Sequence, residues 1–147
     1  MAAGTWTLYN RARRKLVNGT IDLDTSVLRC RIFKGQAAAS VSASTLSLLS
    51  QIGTTNRAAN MSDYTLSGVA LTAIAASATH KFTANNLVIT ASGGNAASAQ
   101  YAVVYNSLSA GGGHLLMWNR LSTAAFTVTS TNTLTITTPA NGFFVIY

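Results

Sequence analysis

The most constraining feature of the sequence is a series of short β-type segments that begins at Tyr64. Each segment is a run rich in β-branched and aromatic residues, and clusters of Asn, Gly and Ser separate one run from the next. Short strands about every 8–12 residues, with turn signals between them, are typical of antiparallel sandwiches and barrels. We therefore predict a mainly β fold, an antiparallel β-sandwich (jelly-roll-like) with one N-terminal amphipathic helix.

One strand is also predicted earlier in the chain, at Val27–Phe33, where apolar and basic residues alternate. Arg29 and Arg31 share one face of this segment, and Cys30 lies on the buried face, where a thiol is an inert apolar packer. The later predicted strands are Tyr64–Leu66, Gly68–Ile74, Lys81–Thr83, Leu87–Thr90, Gln100–Tyr105, His114–Trp118, Phe126–Thr129, Thr133–Thr137 and Phe143–Tyr147.

The N-terminal segment Thr5–Asn18 is predicted to form the helix, with Thr5 as its N-cap and Gly19 as its C-terminal stop. Its apolar residues fall on one side at helical spacing, while the basic residues project elsewhere. The apolar residues are Trp6, Tyr9, Leu16 and Val17, and the two aromatic ones are expected to anchor the helix in the core.

A length of 147 residues suits one domain. We expect a single domain over residues 1–147, in which 1–19 form the helix and 20–147 the β-sandwich. Within the second part, the small-residue segment Lys34–Ser44 is expected to be a loop and Thr45–Ile52 a short helix. The three glycines at 111–113 are expected to form a hairpin tip rather than a phosphate-binding loop, because no helix follows them.

The basic residues are concentrated near the N-terminus. Ten Lys and Arg stand against three Asp and Glu, which gives a formal net charge of +7. Seven of the ten lie before position 35, and from Tyr64 onward there are two basic residues and no acid. This asymmetry indicates a local positive surface rather than a uniformly charged molecule.

Six of these residues are candidate contacts for a partner: Arg11, Arg13, Arg14, Lys15, Arg29 and Arg31. A solvated helix face is the ordinary explanation of such a run. Docking on an acidic protein surface is the second explanation, and phosphate contact with nucleic acid is the third. The sequence has no aromatic-rich strand motif of the RNA-binding type and no zinc-finger spacing, so nucleic acid is the least favoured partner.

The residue types that most catalytic sites need are scarce. The only acids are Asp22, Asp24 and Asp63. Two Asp alone make a poor general acid–base pair or hard-cation site. His80 and His114 are far apart in sequence, and Cys30 is the only cysteine, so no structural zinc set is complete. We therefore expect a protein that is not an enzyme, with no catalytic residues, no metal and no cofactor.

Charged residues make up 9% of the chain, against about 25% in ordinary soluble domains. The longest near-apolar stretch, Val69–Ala78, is shorter than the ~20 residues of a membrane helix, and no secretion leader opens the chain. A surface of hydroxyls and methyls does little to keep copies apart. We expect no membrane partner and a working surface that is largely shared with other chains.

Several stretches stand out together because of their order in the chain. They run from Trp6 through Tyr9-Asn10 and Arg14-Lys15 to Asn18–Thr25, and resume at Tyr64–Thr72, Tyr101–Tyr105 and Thr133–Thr137. In this order they resemble a family of small virion proteins of tailed bacteriophages. Members often carry more acids before the Tyr64 strand and around the Gly93-Gly94 turn than this chain does. The resemblance implies a structural component of the particle without enzymatic activity.

The leading hypothesis is a capsid decoration or cement protein on the outside of a phage head, made in the bacterial host cytoplasm. Its partners would be the major capsid protein and further copies of itself, as a homodimer or homotrimer. A neck or tail component is the alternative within the same class. A nucleic-acid-binding accessory protein and a carbohydrate- or receptor-binding module are the alternatives from other classes.

Overall fold

The alternating segments form strands that pair in antiparallel sheets, which confirms the mainly β prediction. The computed structural model describes residues 4–73, 79–107 and 113–146. Its helices are α1 (Asn10–Val17) and α2 (Ala38–Ser42), and 3₁₀ turns span Gly35–Ala37, Leu49–Ile52 and Thr54–Asn56. Its strands are β1 (Thr7–Leu8), β2 (Leu28–Lys34), β3 (Tyr64–Thr65), β4 (Ala70–Ala73), β5 (His80–Thr83), β6 (Leu87–Thr90), β7 (Ala96–Asn106), β8 (His114–Arg120), β9 (Phe126–Val128), β10 (Thr133–Ile136) and β11 (Phe144–Ile146). Each of the ten predicted strand segments overlaps one of these strands.

The largest sheet has six strands in the order β1-β8-β7-β2-β3, and β9 also pairs with β7. Strand β7 is buried at every position from Ala99 to Asn106. Side chains of a strand point alternately to the two faces of its sheet, so β7 is covered on both faces. This strand is therefore the centre of the core.

The register places basic and apolar side chains on opposite faces of β2. Arg29 pairs with Tyr105, while Cys30 pairs with Val104, which pairs in turn with Met117 of β8. Cross-strand partners share a face, so the buried face of β2 continues into the apolar middle of β7 and β8. Cys30 is fully buried and unpaired, as predicted, and burial raises the pKa of its thiol.

Two smaller antiparallel sheets complete the strand pairing of the described residues. One joins β10 to β6, and the other has the order β11-β5-β4. Phe82 of β5 packs on Phe143 and Phe144 with ring centroids 5.7 and 5.0 Å apart. Phe143 also meets Trp6 edge-on at 5.1 Å, which attaches this sheet to the start of the chain.

The prediction for the N-terminal helix was wrong at its start. The helix begins at Asn10 instead of Thr5, because Thr7 and Leu8 pair with Trp118 and Met117 at the edge of the large sheet. Tyr9 takes the N-cap position in an extended conformation and makes no side-chain cap. A strand pairing made with a distant segment replaces the first helical turn.

The other features of this helix agree only in part with the prediction made from the sequence. Gly19 has a φ of +73°, and its N–H donates to the carbonyl of Leu16, as expected of a C-terminal stop. Trp6 and Tyr9 are buried, whereas Val17 is 91% exposed and does not belong to the buried side. Tyr9 also donates from its hydroxyl to the carbonyl of Val41 at 2.8 Å.

The segment Lys34–Ser44, expected to be a loop, holds a 3₁₀ turn followed by α2, and both pack on β7. Ala37 and Val41 are fully buried, because small side chains let this segment approach the sheet closely. The short helix expected at Thr45–Ile52 is reduced to the 3₁₀ turn at Leu49–Ile52. Of the expected hairpin tip at 111–113, residues 111 and 112 lie outside the described part of the chain.

The aromatic cluster gives a test of the core. Phe82→Ala removes a fully buried ring that packs against two others. We expect it to lower the free energy of unfolding by about 3–5 kcal/mol, the usual range for Phe→Ala in a core. Urea denaturation measures the change, and Val88→Ala, at a 48% exposed valine on β6, is the control with an expected loss under about 1 kcal/mol. Equal losses in the two variants would contradict the described packing.

Candidate functional site

Helix α1 carries two different surfaces on either side of its buried Ala12. The basic residues Arg11, Arg14 and Lys15 recur at three- and four-residue spacing, which brings them to one face. Together with Asn18, Thr20 and Ser47 they line a groove of about 420 Å³. We call this depression the basic groove.

Lys15 is fixed at the wall of the basic groove. Its ammonium donates to the side chain of Ser47 at 2.8 Å and to the carbonyl of Ser47 at 3.3 Å, and it also contacts Nδ1 of His114. Burial lowers the pKa of Lys15, and Arg11 lowers it further. Burial also lowers the pKa of His114, with a second contribution from the Lys15 charge. Of the groove cations, Arg11 and Arg14 are therefore the more exposed pair.

A ridge separates the basic groove from a second depression. In this ridge the backbones of Leu48 and His114 form an isolated antiparallel β-bridge, and the N–H of Leu49 donates to the carbonyl of Gly113 at 3.0 Å. The second depression, of about 310 Å³, is lined on its floor by Arg29, Arg31 and Tyr105. It also takes its walls from the ridge and from the loop after it, at Leu49, Ser50, Gly53 and Thr54.

The carboxylate of Asp63 lies in this second depression, and three side chains form hydrogen bonds or ion pairs with it. Arg31 donates from Nε to Oδ1 of Asp63 at 2.8 Å and from Nη2 to Oδ2 at 2.6 Å. The Tyr105 hydroxyl donates to the same Oδ2 at 2.5 Å, and Arg57 lies 3.3 Å from Oδ1. The Arg31 guanidinium also lies 5.5 Å from the centre of the Tyr105 ring. We call these four residues the Asp63 cluster.

The cluster shifts the pKa values of Asp63 and Tyr105. Burial alone would raise the pKa of Asp63, but the hydrogen bonds from Arg31 and Tyr105, and the charges of Arg31 and Arg57, outweigh it and lower the pKa. Burial raises the pKa of Tyr105 to about 12, and the neighbouring Asp63 contributes to the rise. Asp63 is thus held ionised and Tyr105 protonated at neutral pH, so neither is poised to exchange a proton.

The six candidate contact residues fall into three places. Arg11, Arg14 and Lys15 meet in the basic groove, and Arg29 and Arg31 line the second depression across the ridge. Arg13 points to neither, because it lines an apolar groove on the other flank of α1. Arg31 is already paired with Asp63, so its charge is largely balanced within the chain.

The sequence reasoning missed the Asp63 cluster. Asp63 lies 32 residues from Arg31 and 42 from Tyr105, so local patterns do not connect them. A usable signal was present, since Asp63 is the only acid outside the 22–24 segment and immediately precedes a predicted strand. A lone carboxylate beside a strand in a basic chain is a strong candidate for an arginine partner.

The acidic segment at residues 22–24 has a local structural role. Asp22 caps its own turn, because its carboxylate accepts from the N–H of Asp24 at 2.9 Å and from the Thr25 hydroxyl at 2.8 Å. Within the described residues no group of three or more His, Cys, Asp or Glu is placed to hold a metal ion. No helix among the described ranges is both long enough and apolar enough to cross a membrane.

Comparisons with family models, curated proteins and solved structures find no match to this chain.

The Asp63 cluster predicts a coupled loss of stability. Asp63→Asn removes the charge that answers the part-buried Arg31, and we expect a loss of about 2–3 kcal/mol, typical of hydrogen bonds to charged groups. Arg31→Gln should cost a similar amount, and the double variant little more than either single one. Urea denaturation of the four proteins measures the cycle. Additive losses would show that the two side chains do not act as a pair.

The lowered pKa of Asp63 also sets a pH dependence. A carboxyl whose pKa is lower in the folded than in the unfolded chain stabilises the fold above its unfolded value, about 3.9. That contribution is lost as the pH falls through the folded value. We expect the stability difference between the wild type and Asp63→Asn to be full at pH 7 and to shrink steadily below about pH 4. Urea denaturation at several pH values tests this, and a difference independent of pH would contradict it.

Proposed function

We propose that the chain is a non-enzymatic structural protein of a tailed-bacteriophage particle. In this proposal it is a decoration or cement protein, made in the host cytoplasm, that binds the outside of the head and bridges neighbouring major capsid subunits. The observation that carries the proposal is the basic groove. Among the described residues, neither Arg11 nor Arg14 forms an ion pair, so both exposed charges are available to an acidic surface of another molecule.

We also propose that the sheets pack together as a jelly-roll-like sandwich. This arrangement is supported by Trp6, which lies two residues before Leu8 and therefore on the face of the large sheet that holds Met117. The contact of Trp6 with Phe143 then joins that face to the three-stranded sheet. Sheet edges and neutral Ser- and Thr-rich strands suit contacts that are repeated over many copies, where avidity offsets weak single interfaces.

A nucleic-acid-binding accessory protein remains the alternative from another class, because the basic groove would also attract phosphate. Phosphate binding depends on the number of freely presented cations. Lys15 already has three acceptors within the chain, and Arg31 is paired with Asp63. Two of the six candidate contacts are therefore already engaged within the chain, which favours a protein partner over a phosphate backbone.

Charge reversal in the basic groove tests the docking. We expect the double variant Arg11→Glu/Arg14→Glu to bind particles lacking this protein at least about tenfold more weakly than the wild type, because like charges then face each other at the contact. Both side chains are exposed, so the fold should be kept. Co-sedimentation with the particles measures attachment, and circular dichroism checks the fold.

The matched control is Lys34→Glu/Lys81→Glu, which changes the net charge equally at two lysines outside the basic groove. This variant should attach within about twofold of the wild type. Full attachment of the groove variant would refute the docking. Tight, strongly salt-dependent binding of a DNA duplex that the groove variant loses, with no attachment to particles, would favour the nucleic-acid alternative.

A further inference from the structure

An apolar surface on the second flank of α1 has no role in the proposed docking. Val17 is 91% exposed, and Leu71 and Ile146 nearby are 46% and 39% exposed. Two adjoining depressions, of about 470 and 290 Å³, share Leu16 and Ile146 in their walls, which makes the surface continuous. We call it the α1–β11 patch, and its partly or fully exposed apolar residues are Leu8, Leu16, Val17, Leu71, Phe144, Val145 and Ile146.

The α1–β11 patch lies where strand edges are open. In the described residues β11 and β4 are the two edges of their sheet, and β1 is an edge of the large sheet. A valine in the last turn of a helix gains nothing for the fold when almost all of it faces water. Contiguous exposed apolar side chains of this kind mark an interaction surface.

The charges at the ends of the α1–β11 patch are opposite. Arg13 lines the depression on one side of the shared Leu16, and Asp22 and Asp24 line the depression on the other side. Neither Arg13 nor Asp24 forms an ion pair with another described residue. The surface thus carries a basic end, an apolar middle and an acidic end, which is a self-complementary order.

We propose that the α1–β11 patch binds the same patch of a second copy of this chain, giving a two-fold symmetric dimer. In a two-fold interface each residue contact occurs twice, with the roles of the copies exchanged. Rotation about the middle of the patch places Arg13 of each copy opposite Asp24 of the other, and buries Val17 between them. The basic groove lies on the other face of α1, so it stays open in the dimer.

The dimer goes one step further than the proposed function, because it names the surface through which a decoration protein would self-associate. The dimer can form whether or not the chain binds a capsid. Burial of an exposed valine side chain is favourable, and Val17 is buried twice in a symmetric interface. We expect Val17→Asn to raise the dissociation constant of the dimer at least about tenfold. Helix propensities of Val and Asn are similar, so α1 should be retained.

Sedimentation velocity over a concentration series measures the association. The wild type should approach twice the chain mass of 15.3 kDa, and Val17→Asn should remain near the chain mass at the same concentrations. The matched control is Val88→Asn, at another exposed valine far from the patch in sequence, which should dimerise like the wild type.

A charge swap tests the geometry of the interface. Arg13→Asp alone and Asp24→Arg alone each place like charges across the two-fold axis and should weaken the dimer several-fold. The double variant Arg13→Asp/Asp24→Arg restores opposite charges and should recover most of the affinity. Recovery in the double variant is not expected if the two residues merely affect folding.

Three outcomes would overturn the dimer. One is a wild type that stays monomeric at about 100 μM, well above the micromolar range of ordinary specific interfaces. Another is a trimer, and the third is an unchanged association in Val17→Asn. A monomeric wild type whose Val17→Asn variant loses particle attachment would assign the α1–β11 patch to a capsid partner instead. The docking proposal is tested separately, by the attachment of the Arg11→Glu/Arg14→Glu variant to particles.

Discussion

Strand β7 is buried on both faces from Ala99 to Asn106, and its register with β2 and β8 decides which of their side chains face the core. A shift of one residue would turn Cys30 outward and drive the charge of Arg29 into the core. The register fixed in this way determines what surrounds the sheet. It sets Arg31 beside Tyr105 and within reach of Asp63, and it brings His114, at the start of β8, next to Lys15.

The few charged residues of the chain divide into those that are paired inside the molecule and those that face outward. Asp63, immediately before β3, is paired inside the molecule with Arg31 and Arg57 and accepts a hydrogen bond from Tyr105. The basic residues of α1 are left facing outward, with Arg11 and Arg14 on one flank and Arg13 beside apolar Val17 on the other. One short helix thus presents two surfaces of different chemistry, for which we propose a capsid and a second copy as the partners.

Local patterns predicted most of the strands, because alternation and turn residues are properties of a few neighbouring positions. They failed where distant segments decide the outcome. Thr7 forms a strand because Trp118 is available to pair with it, and Ala37 and Val41 lie in helical turns because β7 offers a surface that small side chains fit. The basic flank of α1 was visible in the sequence, whereas its link to His114, 99 residues from Lys15, was not.

The copy number per purified particle, measured by quantitative mass spectrometry against the major capsid protein, tests the proposed role most directly. A decoration protein that follows the icosahedral lattice should be present at a ratio near one, or at a simple fraction of about one-third or two-thirds. Only about six or twelve copies would place the chain in the neck or tail and contradict decoration. Absence from the particle would contradict both virion assignments.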